Sequence, residues 1–428
     1  MTIRLGAAAR LLLTTSALAL GANAFAWDKD GEYQIAQAGP VMQSAPASAA
    51  PVDEQVVVTG VRGRERSVQT TPVPVDSISA DALESSGALG GEVGQALQNL
   101  VPSFNMPRQS SSGPADFIKP AQLRGMSPDQ VLVLVNGKRR HTSSVIQQDA
   151  KTGKGTTPVD FNSLPLSAIK RIEVLRDGAG AQYGSDAIAG VINVILDDTP
   201  DGVEVNASYG AHVTNFKATN LDLDITDGET LNVSVEGAMP FANKGGFVRF
   251  GVEYKDRAET NRAGLDLVPF FEDFGNVALV GGQRNYKPGD AATEDMNVWF
   301  NSEVKLDGGL ELYAFGTYNQ RDAEGTGFFR YPIGSAGLAN NVPAIVPNPV
   351  PLGYRPVTTG DNQDLQLALG LRGDAGAWAW DVSANYGDNA TDIGVKDSLN
   401  PSLGAASPRK FHSAGFNNEL FTLNADAT

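Results

Sequence analysis

From residue 201 onward the chain alternates apolar and polar residues with a period of two. Val203, Val205, Ala207 and Tyr209 oppose Glu204, Asn206 and Ser208. Leu231, Val233 and Val235 oppose Asn232, Ser234 and Glu236, and Val248, Phe250, Val252 and Tyr254 oppose Arg249, Gly251, Glu253 and Lys255. The pattern returns over 298–306, 310–318, 365–371 and 378–386, and a last segment begins near Glu419. Successive strand residues point to opposite faces, so this repeat predicts about eight strands of roughly ten residues.

A sandwich with its apolar face inward and a membrane barrel with its apolar face outward both produce such strands. Connection lengths separate them. Residues 242–245, 307–309 and 373–376 read as tight turns, whereas 213–230, 258–293, 322–363 and 389–418 read as long links. Strict alternation of short and long connections is the outer-membrane barrel pattern. Phe241, Tyr254, Trp378, Trp380 and Tyr386, near strand ends, suit the aromatic girdles of such barrels. An exported adhesive β-sandwich is the competing reading.

Residues 61–200 have a different texture. Ser79 and Asp81, with Glu84, open a helix by a capping pattern. Val93, Leu97 and Leu100 recur at helical spacing, and Pro102 ends that helix. The run Val131, Leu132, Val133, Leu134, Val135 predicts a buried strand. Asn136-Gly137 after it is a hairpin signal, because a type I′ turn needs two residues at positive φ. Residues 169–175 and 190–196 predict two more strands. The expectation is a compact α+β module.

Several segments in it resemble catalytic motifs and do not meet their requirements. Gly178, Gly180 and Gly184 give a GxGxxxG spacing, one residue too long for a dinucleotide turn, with no room for a crossover helix before the strand at 190. Gly153-Lys154-Gly155-Thr156 lacks the earlier glycine and the direct Lys-Ser/Thr step of a phosphate loop. His141, His212 and His412 are the only histidines and are scattered. No catalytic, cofactor or metal site is expected, and the chain does not read as an enzyme.

The N-terminus reads as a secretory signal over 1–26. Arg4 and Arg10 supply positive charge, residues 11–20 are mostly apolar, and Ala24-Phe25-Ala26 has the form of a cleavage site. Residues 27–52, rich in Ala, Gly, Pro, Ser and Gln toward their end, read as a flexible tether. The next segment, Asp53-Glu54-Gln55-Val56-Val57-Val58-Thr59-Gly60, favours extended backbone. Local evidence leaves two readings open: a strand added to another protein's sheet edge, or the first strand of the following domain.

Composition narrows the class. Of 428 residues 47 are Gly and none is Cys, which excludes disulfide scaffolds and thiol chemistry. The net charge of −16 argues against nucleic-acid binding. Residues 52–200 hold 14 basic and 16 acidic side chains, whereas 201–428 hold 16 and 30. The chain therefore divides near Thr199-Pro200-Asp201-Gly202.

Four segments resemble the TonB-dependent outer-membrane receptor family from about residue 53 onward: DEQVVVTG at 53–60, LRGM at 123–126, VLVLVNGKRRHTSS at 131–144, and IKRIEVLRDGAGAQYGSDAIAGVINVIL at 169–196. The resemblance implies an α+β plug domain (61–200) followed by an antiparallel transmembrane β-barrel (201–428), located in the outer membrane of a Gram-negative bacterium. It implies that residues 53–60 are a TonB box, pairing as a strand with TonB of the inner-membrane energising complex. It also implies energy-coupled import of a scarce, bulky nutrient, ferric siderophores first, with glycans, cobalamin and peptides as rivals. A non-transporting binding or signalling receptor is the alternative.

By motif position the resemblance nominates Met126, Ser127, Arg139, His141, Thr142, Gln147 and Gln148 as ligand-facing plug residues. It adds Phe270, Phe271, Phe328, Phe329 and Tyr331 as loop aromatics. Arg124 and Arg176 take the positions that anchor the plug to barrel glutamates, with Asp177 in place of the usual glycine after Arg176.

Family barrels have 22 strands around the plug, and about eight are predicted here. An open sheet of that size leaves two edges in lipid. The expectation is therefore a truncated product, from a gene fragment, a frameshift or a contig edge, that does not transport alone.

Overall fold

The computed structural model describes residues 56–57, 66–67, 75–176, 183–218, 221–241, 243, 245–266, 283–331, 350 and 352–428. The signal segment, the tether, most of 53–60, Gly178 and Gly180 lie outside the described residues, as do Phe270 and Phe271.

Val56–Val57 (β1) pairs antiparallel with Arg66–Ser67 (β2). Strand β3 (Val75–Ser79) runs directly into helix α1 (Ala80–Glu84). Ser79 is the residue that caps α1, its side chain accepting the Ala82 amide at 3.3 Å. Helix α2 (Val93–Leu100) buries Val93, Ala96 and Leu97. Phe104–Asn105 (β4) pairs with Gln122–Leu123 (β5). Val131–Val135 (β6) is buried along its whole length. Asn136 and Gly137 follow with φ of 46° and 75°, the two positive values the turn requires, and Lys138–Arg139 (β7) returns beside β6.

Ile169–Leu175 (β8) and Gly190–Leu196 (β9) complete a mixed five-stranded sheet of order β3-β8-β9-β6-β7, with β6 and β9 parallel. Its core includes Leu97, Ile172, Val174, Ile192 and Val194. That core continues into Trp299, Phe315 and Ala368, which belong to the second half of the chain.

The second half is one antiparallel sheet of eight strands in sequence order. They are Gly202–Ala218 (β10), Leu221–Phe241 (β11), Gly246–Arg257 (β12), Ala292–Lys305 (β13), Glu311–Thr326 (β14), Val357–Ala375 (β15), Trp378–Lys396 (β16) and Phe411–Ala427 (β17). Strands β10 and β17 are its two edges, so the barrel is partial and not closed.

These strands span 12 to 21 residues, longer than the sequence pattern predicts. The expected long link at 213–230 is instead paired strand, because His212 to Ala218 lie opposite Asp227 to Leu221. The alternation disappears there because both faces are polar while the backbone ladder continues. The same change occurs on neighbouring strands. On the outward face, Asp256, Glu294, Asp322, Asp361 and Asp392 stand in direct cross-strand register over β12 to β16. Carboxylates this close repel, which suits a water-exposed rim and not hydrocarbon.

Lower on the strands the wall inverts the arrangement of a soluble protein. Val205, Val235, Phe250, Val298, Leu367, Leu369, Val382 and Leu423 are exposed on the outward face. Arg249, Glu253, Asn297, Asn319, Arg321, Gln366, Asn385 and Asn389 are buried on the inward face, against the plug. This selects the membrane barrel over the sandwich.

Leu369→Arg places a charge in the apolar belt and is expected to cost about 2–4 kcal/mol of stability in a bilayer. Urea unfolding of the receptor from lipid vesicles measures it. An unchanged midpoint contradicts the outward assignment of this face.

Candidate functional site

The seam between plug and wall gathers most of the buried charge. Its lower part is one extended segment set by the Asn136-Gly137 turn. The turn aims β7 along the wall, where residues 138 to 142 and Ser144 find partners. Lys138 donates to Asp381 at 2.8 Å, and the Tyr313 hydroxyl donates to the same carboxylate at 2.9 Å. The Arg139 carbonyl accepts from Asn385 at 2.9 Å and Gln366 at 3.2 Å. The Arg140 guanidinium pairs with Asp364 and donates to Thr317 (2.8 Å), Gln366 (2.9 Å) and Ser163 (3.0 Å). His141 Nε2 lies 3.1 Å from the other Asp364 oxygen, which also accepts from Asn389 at 3.0 Å. Thr142 accepts from Asn418 at 3.1 Å, and the Ser144 amide donates to Asn389 at 2.7 Å.

The upper part is ionic. Glu92, just before α2, receives Arg257 of β12, Lys119 at 3.2 Å and Arg108 at 3.3 Å. Asp290 pairs with Arg108 and lies 3.5 Å from Lys119. Burial would lift the Glu92 carboxyl, but Arg257, Lys119 and Arg108 together hold it well below the usual range. Beside this cluster, Arg321 of β14 is 1% exposed and bridges Asp160 of the plug at 2.5 Å and Asp295 of β13 at 2.6 Å. Arg257 with Glu92 and Arg321 with Asp160 thus meet as opposites across the seam. Removing one member of such a pair costs far more than the pair itself contributes.

Asp116 is the exception in sign. One oxygen accepts the Ser112 amide at 2.9 Å, and the other is buried without a hydrogen bond. Burial raises its carboxyl to about 6, above the usual value for aspartate.

The residues nominated from sequence are distributed unevenly over this seam. His141 and Gln147 are sealed in the interior, not solvated loop residues; the Gln147 amide donates to the Ile118 carbonyl at 3.1 Å. Arg139 is half-buried and pairs with Asp186 within the plug. Thr142 joins the seam, and Gln148 is exposed. Met126 is half-buried against the plug core, and Ser127 caps a short turn with Gln130. Arg124 adopts a φ of 58° and donates to the Arg176 carbonyl at 2.8 Å, while Arg176 pairs with Asp76 at 2.7 Å. These contacts lie inside the plug, whereas Arg140, Glu92 and Asp160 make the charged contacts across to the wall. Phe328 is exposed, but Phe329 and Tyr331 pack edge to face at 5.2 Å within their loop, and the Tyr331 hydroxyl meets Tyr286 of another loop at 3.1 Å.

Sequence reasoning missed Glu92, Asp160, Arg257, Arg321 and Asp364. The signal was present in the wall residues. Arg257, Arg321 and Asp364 are charges at inward positions of alternating strands, where a charge requires a partner.

Arg140→Gln is expected to loosen the plug by about 3–5 kcal/mol, because Asp364 stays buried without its cation. Faster tryptic cleavage of the plug in the assembled receptor measures it. Two opposite pH effects are expected. The Glu92 contribution is present above its unfolded value and is lost as pH falls through its depressed folded value. Asp116, raised in the fold, opposes folding above about pH 6. Asp116→Asn therefore stabilises residues 110–118 by on the order of 2–3 kcal/mol at neutral pH, and the gain vanishes below the unfolded aspartate value. Hydrogen exchange of that segment at both pH values checks the sign.

Residues 67–191 match the family model of the TonB-dependent receptor plug domain. The ferric enterobactin receptor PirA of Pseudomonas aeruginosa is 30% identical over 234 residues, covering 54% of this chain and 28% of that protein. The vitamin B12 transporter BtuB of Vibrio cholerae is 34% identical over 189 residues, covering 44% of this chain and 28% of that protein. The crystal structure of the siderophore receptor PirA from Acinetobacter baumannii aligns at 18% identity with a TM-score of 0.48, covering 82% of this chain and 44% of that one. The matched region therefore spans less than a third of each curated relative. These relatives are named as receptors and transporters. Residues 67–191 are therefore similar to the plug domain of the TonB-dependent receptors, and eight strands of a partial barrel, apolar outside and polar inside, follow them.

Proposed function

We propose that the receptor carrying this chain imports a scarce, bulky and anionic nutrient across the outer membrane, driven by TonB. The observation that carries this reading is the sealed polar seam. A plug held largely by exchangeable ion pairs and hydrogen bonds blocks the lumen at rest and detaches by exchanging most of these contacts with water. The segment Asp53 to Gly60 is the proposed handle: strand addition needs an extended, accessible backbone and little else. Pulling on it reaches β3, an edge strand of the plug sheet.

A ferric siderophore is the favoured cargo. Some relatives are named for ferric enterobactin, others for vitamin B12. One loop cation supports an anionic ligand. Arg355 donates to the Asn285 carbonyl at 3.2 Å, and its Nε is buried without a partner among the described residues. Burial lowers its basicity, and an arriving anion relieves that. Lys287 beside it already pairs with Glu259.

Met126, Ser127 and Gln148 remain proposed ligand-facing positions on the plug. The second reading, a signalling receptor that binds without transport, is separated by deleting residues 56–59 in the receptor. Import of ferric enterobactin is expected to stop while surface binding persists. Uptake that survives the deletion, with binding intact, overturns energised import. Arg355→Gln is expected to weaken ferric enterobactin binding by about tenfold, one lost charge-assisted contact, and to leave binding of uncharged vitamin B12 unchanged.

A further inference from the structure

Glycine inside a strand has no side chain to pack and weakens it, so an inward-facing glycine in the wall needs a reason. Four of them have one. Gly360 of β15 lies under the ring of Phe117, and a Cβ built there would stand 2.5 Å from Phe117 Cε2, inside the 3.0 Å that real contacts respect. Gly387 of β16 lies under the His141 imidazole, and Gly325 of β14 under the Asp116 carboxylate, 2.9 Å from its Oδ2. Gly210 of β10 receives the Leu89 side chain. None of the four has a positive φ, so backbone conformation does not demand glycine there; space does.

The occupants share an origin. Leu89, Asp116, Phe117 and His141 all come from the plug, and their sockets lie on four different strands. Inward glycines elsewhere in the wall are covered differently: Trp299 covers Gly251 and Tyr313 covers Gly370, both from the wall itself. The floor around Gly360 is also kept low. Ala323 and Ile393 stand opposite it in register, and Ala291 and Ala323 join Phe117, Ile118 and Val145 in one apolar cluster.

We infer that these glycines are register marks: holes in the barrel wall, each filled by one plug side chain, that fix the height and rotation at which the plug seats. Ion pairs alone do not do this. Long charged side chains such as Arg140 and Arg257 reach partners over a range of positions, whereas a ring pressed on a bare Cα tolerates little displacement. The sockets position the plug, and the charges hold it there. The inference does not depend on the cargo.

The test is a double-mutant cycle in the full-length receptor. Gly360→Ala fills one socket and is expected to speed tryptic cleavage of the plug about tenfold, the mid-range effect of overpacking a close contact. In the Phe117→Ala background, Gly360→Ala is expected to add no further cleavage, because the added methyl then occupies space the ring has left. The heat-modifiable mobility of the barrel is expected to stay the same in all variants. A Gly360→Ala receptor as resistant as wild type overturns the assignment. So does a Gly360→Ala effect as large in the Phe117→Ala background as in the wild-type receptor.

Discussion

A charge enclosed between plug and wall must meet its opposite within hydrogen-bond reach, and much of this structure is arranged around that constraint. Arg140, Glu92 and Asp160 project from the plug; Asp364, Arg257 and Arg321 answer from the wall. The signs alternate, so neither surface is wholly cationic or anionic. Desolvation makes each pair a modest source of net stability but an effective determinant of geometry, since any displacement leaves a buried charge unmatched. The fold supplies the means of enforcing this. Strands β12 to β16 hold their inward residues in register, and the Asn136-Gly137 turn delivers Lys138 to Ser144 as one extended segment across them.

The inverted wall follows from two solvents. Outside is hydrocarbon, where Val252, Leu367 and Leu369 cost nothing to expose. Inside is a second protein surface rich in polar groups, where Asn and Gln serve better than Leu because each both donates and accepts. Asn385, Asn389 and Gln366 show the pattern, bonding wall to plug and wall to wall at once. An interior built this way separates by exchanging hydrogen bonds with water.

The reach of sequence reading can be judged from particular elements. The apolar stretches of the barrel strands and three strands of the plug sheet, β6, β8 and β9, are legible, since period two, apolar runs and the Asn-Gly signal are local properties of the chain; the edge strand β3 is not. The upper ends of β11, β15 and β16 were not: once both faces turn polar, alternation carries no information, and the strands were read as links. At the seam, family position directed attention to Arg124 and Arg176, whose contacts lie within the plug. It passed over Arg140, two residues from a turn that was itself read correctly. What Arg140 touches depends on Asp364, 224 residues away. No local pattern encodes that distance. A lone inward charge on a strand, as at Arg321, is the one feature that pointed to a partner.

The glycine sockets bear on how receptors of this architecture can be recombined. Plug and wall are consecutive in the chain, so they look separable, and a plug grafted from a relative would keep its own fold. Its side chains would then meet a wall hollowed for Leu89, Phe117 and His141. Specificity between the two halves is thus written twice, once as bumps and once as gaps, and only the bumps appear as side chains. A chimera that preserves every ion pair and ignores four absent methyl groups would inherit a stopper cut for a different bottle.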